Sequence, residues 1–159
     1  MRKVDQWSRR RLLAASVLVL TPRPSLAQSE AVAVFRDPGC GCCAGWVDHL
    51  KQAGFVVHVE ERSDLDPVKR RLGVPAELWA CHTATIAGYA IEGHVPAHAL
   101  ARLLAERPPL KGIAVPGMPI GSPGMEAGGR EDIFEVIGFD GPRRFSFGHY
   151  RGSKPASSL

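Results

Sequence analysis

The residues able to do chemistry here are four cysteines. Cys40, Cys42 and Cys43 fall within Cys40-Gly41-Cys42-Cys43, and Cys81 stands alone with His82 beside it. Cys40 and Cys43 form a C-x-x-C, the spacing of a redox pair. At a strand-to-helix turn the free helix amides and the macrodipole favour the thiolate, which attacks disulfides or binds metal. Cys42 fits poorly in a dithiol enzyme, which needs one attacking and one resolving sulfur. Three thiolates on one turn suit a soft metal instead, with Cu(I) foremost and Zn(II) second by ligand softness. Structural pairing is a third reading, for instance Cys40–Cys43 with Cys42–Cys81. A bridge within residues 40–43, however, closes almost no loop and constrains the unfolded chain little.

Other donors gather around this motif in the sequence. Cys81-His82-Thr83 directly precedes a strand and offers one sulfur and one nitrogen. Met118 and Met125 occur in the matching settings Pro-Gly-Met-Pro and Pro-Gly-Met-Glu, and their thioethers suit Cu(I) better than Zn(II). His94, in Glu92-Gly93-His94-Val95-Pro96, ranks below His82 as a ligand. His49 and His98 are expected in solvent, off the apolar faces of their helices. His58 alternates out of phase with its strand, and His149 carries no signal. Neither a Ser-His-Asp arrangement, a phosphate loop, a zinc-protease helix motif nor a paired-carboxylate pattern is present, so hydrolase readings have no support.

Positioning these residues requires a small set of elements. Ala31 to Arg36 is a short β-rich run that predicts a buried strand, broken by Asp37-Pro38-Gly39. A helix follows from about Cys43 to Ala53, with Cys43, Trp46, Val47 and Leu50 at helical spacing and Gly54 ending it. Phe55 to Glu60 predicts a second strand. Asp66 as cap and Pro67 in the first turn open a short helix ending near Gly73. Thr83 to Ala87 and Tyr89 to Glu92 read as strands joined through Gly88, and a helix runs from Pro96 to Glu106 with Leu100, Leu103 and Leu104 inward. That order predicts a thioredoxin-like α/β domain, a parallel βαβ unit plus a hairpin, giving a mixed sheet with flanking helices. Val115 to Arg130, rich in glycine, proline and methionine, predicts a loop, and loops of this length in compact domains are usually functional or disordered. Asp132 to Phe139 and Arg143 to Phe147 read as a closing hairpin, and residues 152–159 as a frayed tail.

Composition sets the compartment. The chain has 159 residues, 45% of them hydrophobic, enough for one domain with a core and too few for two. Its net charge of +4 belongs to residues 1–27, which hold six Lys/Arg against Asp5. From Gln28 onward, 14 basic residues face 15 acidic ones, so no nucleic-acid partner is indicated. The basic start, the apolar run Leu12 to Leu20 and the small residues Ser25 and Ala27 predict an export signal cleaved before Gln28. Nine apolar residues rise about 13 Å against a hydrocarbon core of roughly 30 Å, too short for a permanent span. Ser8-Arg9-Arg10-Arg11-Leu12-Leu13 resembles a twin-arginine motif, with an Arg-rich Sec signal as the alternative. Residues 28–159 would then form a single metal-binding domain outside the cytoplasm, with no stable membrane span.

Taken together, Asp37-Pro38-Gly39-Cys40-Gly41-Cys42-Cys43, Trp46-Val47-Asp48-His49-Leu50, Cys81-His82-Thr83-Ala84, Glu92-Gly93-His94-Val95-Pro96 and Val115-Pro116-Gly117-Met118-Pro119 resemble the CopG-like family of exported bacterial metal-binding proteins. This copper-resistance family was first described as a domain of unknown function, and the resemblance runs from about Val32 to Tyr150. It implies a thioredoxin-like fold, copper handling in the periplasm and cysteine ligands. Carried over by motif, the ligands are Cys40, Cys42, Cys43 and Cys81, followed by His82, His94, Met118 and Met125. The function expected is sequestration or transfer of Cu(I), contributing to copper resistance, with other periplasmic copper-handling proteins as partners. The alternative is a thiol–disulfide or copper oxidoreductase using Cys40 and Cys43.

Overall fold

The computed structural model describes residues 31–126 and 128–156. The export signal expected over residues 1–27 lies outside them, as do residues 157–159. Strand β1 (Val32–Arg36) buries Val32 and Val34 by simple alternation. Helix α1 (Gly41–Gln52) buries Cys43, Trp46, Val47 and Leu50, the four positions its spacing indicated. It begins two residues earlier than expected, so Cys42 and Cys43 both lie in its first turn, and Cys40 is its N-cap. Strand β2 (Val57–Glu61) then pairs parallel with β1.

Helix α2 (Asp66–Arg71) has Leu65 at its N-cap, not Asp66. The Asp64 carboxylate takes the amide of Asp66 instead (3.0 Å), two residues along, as Asp side chains commonly do in turns. Strands β3 (His82–Ile86) and β4 (Tyr89–Gly93) form the expected hairpin, and β3 lies antiparallel to β1. Helix α3 (Ala97–Glu106) starts after Pro96 and buries Leu100 and Leu103, while Leu104 is only half-buried.

The larger difference comes after α3. Strand β5 (Gly112–Val115) runs parallel to β4 and joins the first four strands to β6 (Ile133–Asp140), β7 (Arg143–Arg151) and β8 (Lys154–Pro155). The result is one mixed eight-stranded sheet, ordered β2-β1-β3-β4-β5-β6-β7-β8, in place of a four-stranded sheet with a separate hairpin. β5 is hard to read from sequence because it is four residues long, buried on both faces and shows no alternation. Its Gly112 is required, since a Cβ there would sit 2.1 Å from the Ala90 carbonyl oxygen and 2.6 Å from the Phe139 ring. The tail also pairs further than expected, with Tyr150 opposite Pro155 and Arg151 opposite Lys154.

Apolar side chains pack on both faces of this sheet. Val32, Val34, Trp46, Leu50, Ile91, Leu100 and Ile113 form the main core with α1 and α3 on one face. Alternate strand residues Ala90 and Ala114 pack with Val74, Leu78 and Phe139 on the other, beyond α2. Among the described residues no helix is long and apolar enough to cross a membrane.

Candidate metal centre

The turn after β1 delivers the cysteine cluster. Asp37 caps it, its carboxylate accepting the Gly39 amide (2.7 Å) and its carbonyl the Cys40 amide (3.1 Å). Arg36 braces it from below, donating to the Cys40 carbonyl (3.3 Å) while paired with Glu61 (2.7 Å). Register brings the second segment to the same place: Arg36, the last residue of β1, pairs with His82, the first of β3. Cys81, one residue earlier, therefore lies over the start of α1. Cys40 Sγ is 3.4 Å from Cys42 Sγ, and Cys42 Sγ is 3.9 Å from Cys81 Sγ. Cys40 and Cys43 are joined as a disulfide with Cα atoms 5.4 Å apart, leaving Cys42 and Cys81 as free thiols.

Two histidines complete the cluster from the buried side. Cys81 Sγ is 3.3 Å from His82 Nδ1 and 3.1 Å from His94 Nε2. His94 arrives there because β4 ends at Gly93, whose positive φ turns the chain back toward Ala80 and Val115. The indole of Trp46 holds the next residue, donating to the Val95 carbonyl (2.8 Å). His94 Nδ1–H donates to the Pro123 carbonyl (2.8 Å), which fixes the tautomer and leaves the Nε2 lone pair facing Cys81. His82 is fully buried beside the Trp46 ring (4.4 Å between centroids), and its Nε2 has no hydrogen-bond partner among the described residues. Two donor groups thus share Cys81: the four sulfurs of residues 40, 42, 43 and 81, and the set Cys81, His82, His94, with ligand atoms in each within 4.8 Å of one another.

The surroundings favour the uncharged form of both imidazoles. Burial pushes His82 well below its ordinary 6.5, reinforced by neighbouring His94 and Lys69, and burial likewise lowers His94. Burial and the adjacent Cys42 push the Cys81 thiol up to about 12. An ion binding at Cys81 must therefore displace a proton that burial retains.

Of the methionines, Met118 is 55% exposed and Met125 is half-buried. Their segment is more ordered than its composition suggested. Gly121 N donates to the Met125 carbonyl and Met125 N to the Ser122 carbonyl, and Ser122 is buried. The fold of this segment sets its backbone against α1. A Cβ on Gly124 would lie 2.5 Å from the Cys42 carbonyl oxygen, and one on Gly45 would lie 3.0 Å from Gly124 Cα. Two facing glycines therefore let the loop rest on the first turns of α1, next to the cysteines.

Other features here were misread from sequence or had no reading there. His49, expected in solvent, is half-buried and accepts the Ala97 amide (3.0 Å), capping α3 from α1. Lys69 and Glu92 form a buried ion pair (2.5 Å) behind Cys81, joined by Thr83. Glu92 was open to detection as the one acid in the otherwise uncharged Tyr-Ala-Ile-Glu-Gly strand. Lys69 lies in the charged run Asp-Pro-Val-Lys-Arg-Arg and looks no different from its neighbours.

The mixed α/β fold brings sulfur and imidazole donors together at one end of its sheet, in groups that could hold a metal ion. Relatives narrow this further. Residues 78–125 match a family described as protein of unknown function, DUF411. A solved structure of copper resistance protein CopG (Form 2) is similar to the chain at 45% identity and a TM-score of 0.73, covering 77% of this chain and 99% of that one. A second (Form 1) is similar at 46% identity and a TM-score of 0.72, covering 77% and 98%. Among curated proteins, none matches the chain. The chain belongs to the family of copper resistance protein CopG, and part of it carries the DUF411 match.

Proposed function

We propose that this chain is an exported protein that binds Cu(I) through Cys40, Cys42, Cys43 and Cys81, with His94 and His82 as nitrogen donors, and sequesters the ion or passes it to another copper-handling protein. One observation carries this: Cys81 Sγ lies within 4 Å of a second free thiol and of two imidazole nitrogens. Once the Cys40–Cys43 bond is reduced, the donors are cysteine sulfur and neutral imidazole nitrogen, the types a soft ion prefers, and His82 presents Nδ1 and His94 presents Nε2 toward Cys81. Because Cys81 belongs to both donor groups, its sulfur can bridge ions and one chain can hold a small cluster. Zinc suits the same ligand types and is the competing ion. Met118 and Met125 are assigned to capture, offering thioethers from the loop that rests on α1.

Residues 1–27 are assigned to export by the twin-arginine or Sec route, placing the domain in the periplasm. The thioredoxin-like reading draws support from the first four strands, ordered β2-β1-β3-β4 with β1 and β2 parallel and β3 antiparallel to both its neighbours.

The Cys40–Cys43 disulfide favours a second reading as an oxidoreductase. Closing that bond from two thiolates releases two electrons, enough to reduce two Cu(II) to Cu(I) or one partner disulfide to a dithiol. The Cys42→Ser/Cys81→Ser variant separates the readings. Sequestration predicts that it loses retained Cu(I), whereas a disulfide enzyme keeps its reductase activity without Cys42 and Cys81.

A further inference from the structure

Behind the candidate centre, one charged network ties together the two segments that carry Cys81, His82 and His94. Lys69 on α2 and Glu92 on β4 are 3% and 0% exposed. The Lys69 ammonium donates to Glu92 Oε1 (2.5 Å), Thr83 Oγ1 (2.9 Å) and the Ala80 carbonyl (3.0 Å), which uses all three of its protons. The Glu92 carboxylate accepts the Ala80 amide (2.6 Å) at one oxygen and the Thr83 hydroxyl (2.7 Å) at the other. Ala80 therefore has its N–H held by the anion and its C=O held by the cation. A Cβ on Gly93 would come within 2.8 Å of Ala80 Cβ, so the same residue is also seated closely against the end of β4.

Sequence positions show what this arrangement acts on. Ala80 and Thr83 flank Cys81 and His82, and Glu92 precedes His94 by two residues. Stability alone is a poor reason for such a network. Withdrawing two charges from water costs about as much as their attraction returns, and well-packed apolar side chains commonly do as well or better. What a fully satisfied polar network supplies that an apolar core does not is a single fixed arrangement of the backbone groups it holds.

We infer that Lys69, Glu92 and Thr83 are positioning residues which clamp Ala80 and so set Cys81 at its distance from His94 and Cys42. This rests on the copper-binding reading for its purpose, but not for its geometry. It predicts that loosening the clamp frees Cys81 before it disturbs the fold. Outer partners of metal ligands typically contribute about 10- to 100-fold in affinity, so Cu(I) retention is expected to weaken by about tenfold.

The test is site-resolved alkylation of the reduced, metal-free chain by iodoacetamide, read by mass spectrometry as the rate at Cys81 relative to Cys42. Cu(I) competition against a chelator runs in parallel. Thr83→Val keeps the shape and removes the hydroxyl, Thr83→Ser keeps the hydroxyl, and Lys69→Met/Glu92→Leu replaces the ion pair. Thr85→Val, one turn of the strand further along and outside the network, is the control. The Cys81-to-Cys42 ratio is expected to rise in Thr83→Val and in the ion-pair variant, alongside the loss of about tenfold in Cu(I) retention, and to stay at the wild-type value in Thr83→Ser and Thr85→Val. An unchanged ratio in folded Thr83→Val, or a Thr83→Ser that behaves like Thr83→Val, overturns the inference. A rise in the ratio in a protein that retains no Cu(I) even as wild type upholds the clamp and removes the copper reading instead.

Discussion

Cys40, Cys42 and Cys43 reach the site on neighbouring positions of one turn, whereas Cys81 and His82 at the start of β3 and His94 just past the end of β4 are brought together by the sheet. The first set is partly open to solvent, with Cys40 and Cys42 half-buried, and already holds a disulfide. The second is lined by two buried imidazoles and braced by a buried ion pair. The difference teaches a division of labour. A turn of adjacent thiols can change redox state with only local rearrangement, because its donors share one short backbone segment. The strand-borne donors are fixed by register, by the Ala80 clamp and by the Pro123 carbonyl on His94. Cys81 belongs to both, so its loss should disturb the site most.

Breaking the shared residue should have the largest effect. Cys42→Ser/Cys81→Ser is expected to lose Cu(I) retention by about 100-fold or more in chelator competition, while Cys40–Cys43 still oxidises normally by thiol counting. Next comes the loop's grip on the second set. Gly124→Ala puts a Cβ into the Cys42 carbonyl at a φ of +85°, so the loop must lift and His94 must lose Pro123. The expected cost is about tenfold in Cu(I) affinity with the cysteines intact, checked by the same competition.

A smaller effect sharpens the contrast through pH. His49, His82 and His94 are all held below 6.5 in the fold, chiefly by burial. The unfolded chain therefore binds more protons than the folded one on the acid side. Metal-free protein should be most stable between about pH 6.5 and 8.5, losing stability below that range as the unfolded histidines take up protons and above it as the unfolded Cys81 thiol gives up the proton that the fold retains, measured by urea unfolding across the range. His49→Ala should remove the acceptor for the Ala97 amide and cost about 1 kcal/mol, leaving copper affinity unchanged. Smallest of all, Met118→Leu/Met125→Leu should slow Cu(I) loading by a few-fold in stopped-flow absorbance without changing the number of ions held, as expected of side chains that capture an ion without retaining it.

How far the site could be read from the chain follows the same division. Residues 40–43 declare themselves, because thiol spacing within one turn needs no tertiary information. The first four strands and α1 were legible through alternation and helical spacing, since Val32, Val34, Trp46 and Leu50 each face the core their period implies. What depends on register was less so. Cys81 and His82 showed as donors, but their meeting with His94 required the β1–β3 and β3–β4 pairings. β5 was lost because a short strand buried on both faces has no period. The order in residues 116–126 was hidden by a composition that reads as loop, although its glycines serve a backbone contact with α1. The Lys69–Glu92 pair was invisible for a further reason: nothing local distinguishes a buried lysine from its solvated neighbours on α2.

The most direct test of the central claim is anaerobic titration of the reduced chain, residues 28–159, with Cu(I) against a competing chelator, reading copper per chain and the protection of each thiol from alkylation. Retention of one or more Cu(I) ions with Cys42 and Cys81 protected together is the predicted result. Failure of the fully reduced protein to retain Cu(I), or retention with Cys81 still freely alkylated, would contradict it.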